Sequence, residues 1–509
     1  MNALLLNPAD DVAVATARIP AGETVEAGTR KVVAQNDIPK LHKIALRDIP
    51  SGEHVRKYGY SIGISLGIRA GEHVHTHNLR SGLRRSDCYE YSPKTVPAAT
   101  YPKNSFEGYR RKDGRVGIRN QILVLPTVGC INNVCEEIAR VAREKSGYKE
   151  IYAMPHPYGC SQLGDDLQAT QNILAGLASN PNNGGVLVVS LGCENNRLED
   201  FFRCLQFSDT ARLRTLRTQD EGNEIEKGTA LACELAEICK ADQRTSCFSD
   251  DLIVGLKCGG SDAFSGITAN PSVGVLTDRL IGMGGSAVMT EIPEMFGAEQ
   301  LLLDRCVSKE KFDDLAKLIQ DFKRYFTDHD ESVGENPSPG NKEGGITTLE
   351  EKSLGCVLKG GHAAVCDVLR YGTRVRERGL TVLEAPGNDA TAQTALAAAG
   401  AERLWIETEH GAESLFSDGG ACSVTFGFGY ARWERTIGGN RISVTAFIVS
   451  TSCPTGQVLT CQPSFACTST LSPSVTATSR ILSPKRMTFN SLETATPTAA
   501  RIQSPKRFC

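Results

Sequence analysis

Six polar strings punctuated by Gly and Cys run through the middle of the chain. They are Pro126-Thr-Val-Gly-Cys130, His156-Pro-Tyr-Gly-Cys160-Ser-Gln-Leu-Gly-Asp-Asp166, Leu191-Gly-Cys193-Glu-Asn-Asn196, Lys257-Cys258-Gly-Gly-Ser-Asp262, Thr290-Glu-Ile-Pro-Glu-Met-Phe-Gly-Ala-Glu299 and Asn336-Pro-Ser-Pro-Gly-Asn341. Thiols, imidazoles and carboxylates bind divalent metals and move protons. Cys160, Cys193 and Cys258 are candidate thiolate ligands, as are Cys130 and Cys356; the alternative is that they pack as small side chains. His156 and Asp165 are candidates for proton transfer, although one of the pair Asp165-Asp166 can instead cap the following helix. Lys342 follows a rigid Pro-Ser-Pro-Gly turn, where it can grip a carboxylate, act as a base or lie on the surface. Asn388 and Asp389, after Pro386-Gly387, suit sugar hydroxyls. Glu291 and Glu294 are three apart, but Pro293 between them leaves their facing open. Near the N-terminus His73, His75 and His77 alternate, so on one strand they share a face, as metal ligands or as an exposed polar row.

Strands and helices must hold these groups in place. Ile122 to Leu125, Val186 to Val189 and Leu252 to Leu256 are short apolar runs bounded by Gly and polar residues, the pattern of buried strands. The strings that follow them then lie at strand carboxyl ends, where open α/β sheets bind ligands. This predicts that the Cys160, Cys193 and Cys258 strings converge. Asn133 to Lys145, Asp166 to Ala178 and Lys309 to Phe326 have helical apolar spacing. Residues 1–92 alternate short apolar stretches with Gly turns and read as a small all-β domain. Residues 93–107, with three prolines, read as a linker wrapping onto the next domain. An α/β region follows in two lobes, 108–250 and 251–400, and the stretch after Asp330 reads as a long functional loop. Residues 401–509 diverge in composition, and their Ser/Thr/Pro-rich end reads as a largely disordered tail. The twice-used Ser-Pro-Lys-Arg there is a basic address or a solvated tail.

Of 509 residues 40% are hydrophobic and 23% charged, which fits a globular protein of several domains. The net charge of −3 gives no bias towards nucleic acid or an anionic membrane. No apolar run reaches transmembrane length, and the first residues lack the form of a signal peptide. A cytoplasmic chain with reduced thiols is therefore expected, and the absence of a Cys-x-x-Cys pair among the 18 cysteines argues against a zinc ribbon. The expected partner is a small molecule; homo-oligomerisation is left open.

The chain resembles the altronate and galactarate dehydratase family of sugar-acid lyases. The strings that carry the resemblance are Glu72-His-Val-His-Thr-His-Asn78, Asp113-Gly-Arg-Val-Gly-Ile-Arg-Asn120, Tyr158 to Asp166, Gly192 to Asn196, Gly266-Ile-Thr-Ala-Asn-Pro271, Asn336 to Asn341, Gly345-Ile-Thr-Thr-Leu-Glu350 and Ala385-Pro-Gly-Asn-Asp389. The resemblance implies an N-terminal SAF (β-clip) domain, an α/β catalytic region, and dehydration of D-altronate to 2-dehydro-3-deoxy-D-gluconate in hexuronate breakdown. It implies Fe2+ or Mn2+, with an iron–sulfur cluster left open by the cysteines. It favours His75 and His77 over His73 as ligands, and brings in Arg119, Asn120 and Asn195 as substrate contacts. Beyond Asp389 the family's Thr-Gly-Arg-Gly-Thr-Pro and Pro-Thr-x-Lys-x-x-Thr-Asn motifs are missing. A dehydratase acting on galactarate or another hydroxy acid, and an inactive truncated or frameshifted remnant, are the alternatives.

Overall fold

The computed structural model describes residues 2–83, 88–94, 99–207, 209–334 and 336–407, together with the backbone of three further strands between 422 and 446. Residues 447–509, including the Ser-Pro-Lys-Arg repeat, lie outside the described residues.

The first 80 residues are built on one turn used four times. In Ile19-Pro-Ala-Gly22, Ile38-Pro-Lys-Leu41, Ile49-Pro-Ser-Gly52 and Ile68-Arg-Ala-Gly71, the residue after the fourth position donates its amide to the carbonyl of the second, at 3.1–3.2 Å. Such turns need a positive φ at their third residue, which favours Gly. Gly22, Gly52 and Gly71 have φ of 85°, 90° and 85°, and Leu41 takes the same conformation at 75°. The paired isoleucines bridge Ile19 to Ile38 and Ile49 to Ile68, and all four are buried. The result is a set of short antiparallel sheets, the largest ordered 3–4, 12–15, 43–45 and 73–74.

Residues 88–94 and 99–104 lie along the second lobe as a strap. Lys94 donates its amide to Asp304 and pairs with its carboxylate at 2.6 Å, and the Tyr101 amide bonds Gly282. The strap ends earlier than the expected linker, because strand Ser105–Arg110 already pairs with Thr245–Phe248.

The first lobe is a parallel sheet in the order Ile151–Ala153, Gln121–Pro126, Asn183–Ser190, Leu213–Arg217. Its two central strands are buried along their whole length, as continuous apolar runs require. Successive side chains leave opposite faces. Ile122, Val124, Leu187 and Val189 pack with the helices Asn132–Ser146 and Glu224–Ala241. Leu123, Leu125, Val186 and Val188 join Leu174 of helix Gly164–Ala178, and the same core continues into Leu396 and Leu404 of the second lobe. The two lobes therefore share a core. A Cβ on Gly176 would lie 2.5 Å from the Ala398 carbonyl, so the helices of the two lobes meet at a distance only Gly permits.

The second lobe's sheet has eight strands: Val365–Leu369, Leu380–Leu383, Ser286–Met289, Ile253–Cys258 and Arg403–Glu407 run parallel, and 422–427, 430–437 and 440–446 continue antiparallel. The expected tail boundary at 401 falls inside this sheet. Asn180 donates to the carbonyls of Ala397 and Ala401, Asn182 donates to that of Glu402, and the Glu402 carboxyl accepts from the Ile253 amide at 2.7 Å. The stretch after Asp330 is also more regular than the expected loop, with helices Pro339–Glu343 and Leu349–Cys356. Among the described residues no helix is long and apolar enough to cross a membrane.

Candidate functional site

Helix Leu349–Cys356 is the spine of the site. Every one of its residues is buried, including Glu350, Glu351 and Lys352. Charges so placed must be paired. On one side Glu351 receives Lys43 and Lys57 of the β domain, each at 2.8 Å, with all three side chains at most 1% exposed. The two ammoniums hold the Glu351 carboxyl down at about 2, against the upward pull of burial. The Lys43 ammonium also bonds the Gly345 carbonyl and Thr347 Oγ1.

Beside this junction four imidazoles cluster. The ring centres of His42 and His73 are 4.9 Å apart, those of His42 and His75 4.8 Å, and those of His73 and His77 5.4 Å. The histidine strand is shorter than the alternation implied, covering His73–Val74 only. Asn78 closes the turn that follows, accepting from the His75 amide and donating to the His73 carbonyl, both at 3.0 Å. His75 Nδ1 lies 3.0 Å from Thr347 Oγ1, and His42 Nε2 lies 3.0 Å from the Glu343 carbonyl. His75 thus turns towards the segment that packs on the Cys258–Asp262 loop, where Ala263 donates to the Gly344 carbonyl and Asn341 to that of Ser261.

Burial and the neighbouring cations push His73 down to about 3 and His75 down to about 4. Both are neutral at pH 7. Since their unfolded value is near 6.5, the unfolded chain binds protons more readily below it. The stability they contribute is complete above about pH 6.5 and is lost as pH falls towards about 4 for His75 and about 3 for His73. The melting temperature should fall across this window, and His75→Gln should flatten that fall; equal slopes in both proteins would refute the assignment.

On the other side of the helix, Lys352 pairs with Glu294 at 2.8 Å, and the Cys356 thiol donates to Glu294 at 3.3 Å. Cys258, Glu294 and Cys356 bring three ligand atoms within 4.8 Å of one another, all buried. Lys257 bonds Glu291 at 2.5 Å and Asp389 at 2.8 Å, and Glu291 also accepts from the Cys258 amide at 2.7 Å. Glu291 has a φ of 67°, a strained conformation for a non-Gly residue. The turn Ile292–Met295 after it brings both glutamates into one centre despite Pro293. Burial and the Glu294 charge raise Glu291 to about 7. The ammoniums of Lys352, Lys359 and Lys257 outweigh burial at Glu294 and keep it ionised. Its hydrogen bond with Cys356 and burial push the Cys258 thiol well up. Buried lysines Lys257, Lys352 and Lys359 face the carboxylates of this centre. A divalent cation that displaced the two thiol protons would leave the total charge unchanged, so this donor set fits a metal.

The remaining sequence candidates are distributed as follows. The Cys160 and Cys193 loops meet: Ser161 donates its amide to Asn195 Oδ1 at 2.6 Å, and Asn196 donates to the Gly159 carbonyl at 3.1 Å. Cys258 sits on the other sheet, so the expected single convergence resolves into two centres. His156 is not available for proton transfer in this arrangement. Its Nε2 lies 2.8 Å from the Pro126 carbonyl and its Nδ1 accepts from the Tyr158 amide at 3.2 Å. Asp165 is exposed in the first turn of helix Gly164–Ala178, where a carboxylate complements the helix dipole. Lys342 is half-buried on helix Pro339–Glu343. Arg119 and Asn120 precede strand Gln121–Pro126 and so lie at its amino end, away from the ligand-bearing loops. Asn120 donates to Cys239 and Asp242 and accepts from Arg111, and Arg119 pairs with Glu150 at 3.3 Å. These are structural contacts. Asn388 caps helix Asp389–Ala398, and Asp389, 71% exposed, reaches Lys257.

Family models match the chain along most of its described length. The altronate/galactarate dehydratase SAF domain covers residues 1–82, the D-galactarate dehydratase/altronate hydrolase second domain 108–240, and the D-galactarate/altronate dehydratase C-terminal domain 249–414. Altronate dehydratase of Bacillus subtilis (strain 168) is 46% identical over 408 residues, 79% of this chain and 82% of the relative. The chain belongs to the D-galactarate/altronate dehydratase family. Altronate dehydratase of Escherichia coli (strain K12) is 45% identical over 418 residues, 81% of this chain and 84% of that enzyme. The family's galactarate dehydratase (L-threo-forming) from the same strain is more distant, 30% identical over 395 residues, 71% of this chain and 73% of its own.

His42, Lys43, Lys57, Lys257, Glu351, Lys352 and Lys359 were not among the sequence candidates. One signal pointed to the first two. At the second use of the four-fold turn, Leu41-His42 stands where the others read Gly22-Glu23, Gly52-Glu53 and Gly71-Glu72. That is the place where the β domain meets Gly345, whose Cβ would lie 2.4 Å from the Leu41 carbonyl.

Proposed function

We propose that this protein is a hydro-lyase that converts D-altronate to 2-dehydro-3-deoxy-D-gluconate and water. Identity of 45–46% to altronate dehydratases, against 30% to galactarate dehydratase, carries the choice of substrate. The centre around helix Leu349–Cys356 supplies the chemistry. Dehydration removes the proton at C2, breaks the C3–O bond and releases the hydroxyl as water. The enol left behind tautomerises to the 2-keto acid.

Lys57 and Lys352 line a narrow cavity with Tyr58, Asp262, Asn270 and Cys356, and their ammoniums suit the substrate carboxylate. His75, neutral at pH 7, is our assignment for the acceptor of the C2 proton. Glu291, raised to about 7, carries a proton part of the time and is our assignment for the donor to the leaving hydroxyl. Cys258, Glu294 and Cys356 would hold a divalent ion, which supplies Lewis-acid stabilisation of negative charge on the substrate. Two thiols in the set favour Fe2+ over Mn2+. His77 belongs to the histidine cluster at the domain junction. We place the enzyme in the cytoplasm: among the described residues the 13 cysteines are all free thiols, as a reducing compartment allows.

The test is keto-acid formation from a panel of aldonates and aldarates by the full chain, loaded with Fe2+ under anaerobic conditions. D-altronate should be turned over fastest. A preference for galactarate would replace the substrate assignment, and no turnover of any acid by folded, iron-loaded protein would overturn the reading.

A further inference from the structure

We propose that Cys130, Cys160 and Cys193 form a second, three-thiolate site at the carboxyl rim of the first lobe, and that it holds an iron–sulfur cluster. Three neighbouring strands of one parallel sheet, Ile151–Ala153, Gln121–Pro126 and Asn183–Ser190, deliver one cysteine each in the loop that follows. The loops are stitched together. Gly129 donates to the Tyr158 carbonyl at 2.8 Å, Asn196 Nδ2 to Thr127 at 2.9 Å, and the 159–161 segment to 195–196 as described above. Ser161 has a φ of 58°, Gly159 99° and Gly192 125°, so the backbone beside two of the thiols is held in the left-handed region. All three cysteines are exposed, against the strong preference of cysteine for the interior.

Two other metal-binding groups at this rim are already committed. Both nitrogens of His156 are engaged, and Glu194 accepts from Thr127 Oγ1 and the amides of Leu191 and Gly192 at 2.7, 3.1 and 2.6 Å. The three thiols are soft donors, which select iron–sulfur clusters, zinc or Cu(I). Among the described residues, the three sulfurs do not form a set within 4.8 Å, the spacing found at Cys258, Glu294 and Cys356. Two 15-residue helices, Asn132–Ser146 and Gly164–Ala178, begin just after Cys130 and Cys160, and neither has a side-chain cap. Three cysteines leave one corner of a cubane without a protein thiolate.

The site stands apart from the dehydration reading, because it is detected by sulfide and spin rather than by turnover. The full chain, reconstituted anaerobically with ferrous iron and sulfide, should carry roughly four acid-labile sulfides per chain and roughly four irons beyond the one at the Cys258 centre. It should show broad visible absorption and, after one-electron reduction, a cluster EPR signal. The variant Cys130→Ser/Cys160→Ser/Cys193→Ser should lose at least nine-tenths of the sulfide with unchanged circular dichroism, while Cys366→Ser keeps it. Folded wild-type protein that holds no sulfide, that takes up zinc alone, or whose sulfide survives in the triple variant would overturn the proposal.

Discussion

Glu351→Gln should cost about 3–5 kcal/mol of stability, because it leaves two buried ammoniums facing a neutral amide. Lys43 and Lys57 are at most 1% exposed and both rest on this carboxylate. Desolvation would favour a neutral carboxyl, but the two cations win and hold it at about 2, below its usual 4.5. The sign follows. Glu351 contributes fully above about pH 4.5, and its contribution disappears as pH falls towards about 2. Urea denaturation of wild type and variant at pH 7 reads the cost directly. A shift in midpoint worth less than about 1 kcal/mol would mean that water reaches the pair in solution, which would remove the proposed desolvated junction.

Glu294→Gln should reduce kcat by a factor on the order of 100 or more, and lower iron content with it. Glu294 binds Lys352 and the Cys356 thiol at once, so its charge holds both the spine helix and the ligand set. The amide keeps the shape and removes the charge. Cys356→Ser separates the two roles, since it keeps the Lys352 pair and loses a sulfur ligand. Both variants should lose iron from the Cys258 centre while retaining a native circular dichroism spectrum. Activity within about threefold of wild type in either one would exclude this centre from catalysis.

The fold was legible wherever apolar periodicity decided it. The runs at Ile122 and Val186 became the central strands Gln121–Pro126 and Asn183–Ser190, and the helix expected at 309–326 spans Lys309–Asp328. The Gly-Cys strings fell at strand carboxyl ends because parallel strands place their ends together. The site was less legible. Two sheets share the strings between them, and nothing in local spacing says which loop belongs to which sheet. Buried lysines were harder still. Lys43 and Lys57 stand among polar turn residues, and only the long-range packing of Glu351 makes them part of a junction. Arg119 and Asn120 misled because a dense polar motif at a strand's amino end looks the same in sequence as one at its carboxyl end.

The β domain is fastened to the second lobe by its own surface, through Lys43, Lys57, His42 and His75. The strap of residues 88–94 and 99–104 is fastened to the same lobe separately, through Lys94, Tyr101 and Asn104. Each fastening is made by its own residues, so covalent continuity adds only an effective concentration, about millimolar for a short link, and does not itself create the interface. Two polypeptides divided near residue 84 would carry every contact needed to find each other again, at an affinity written in the desolvated charges of the junction.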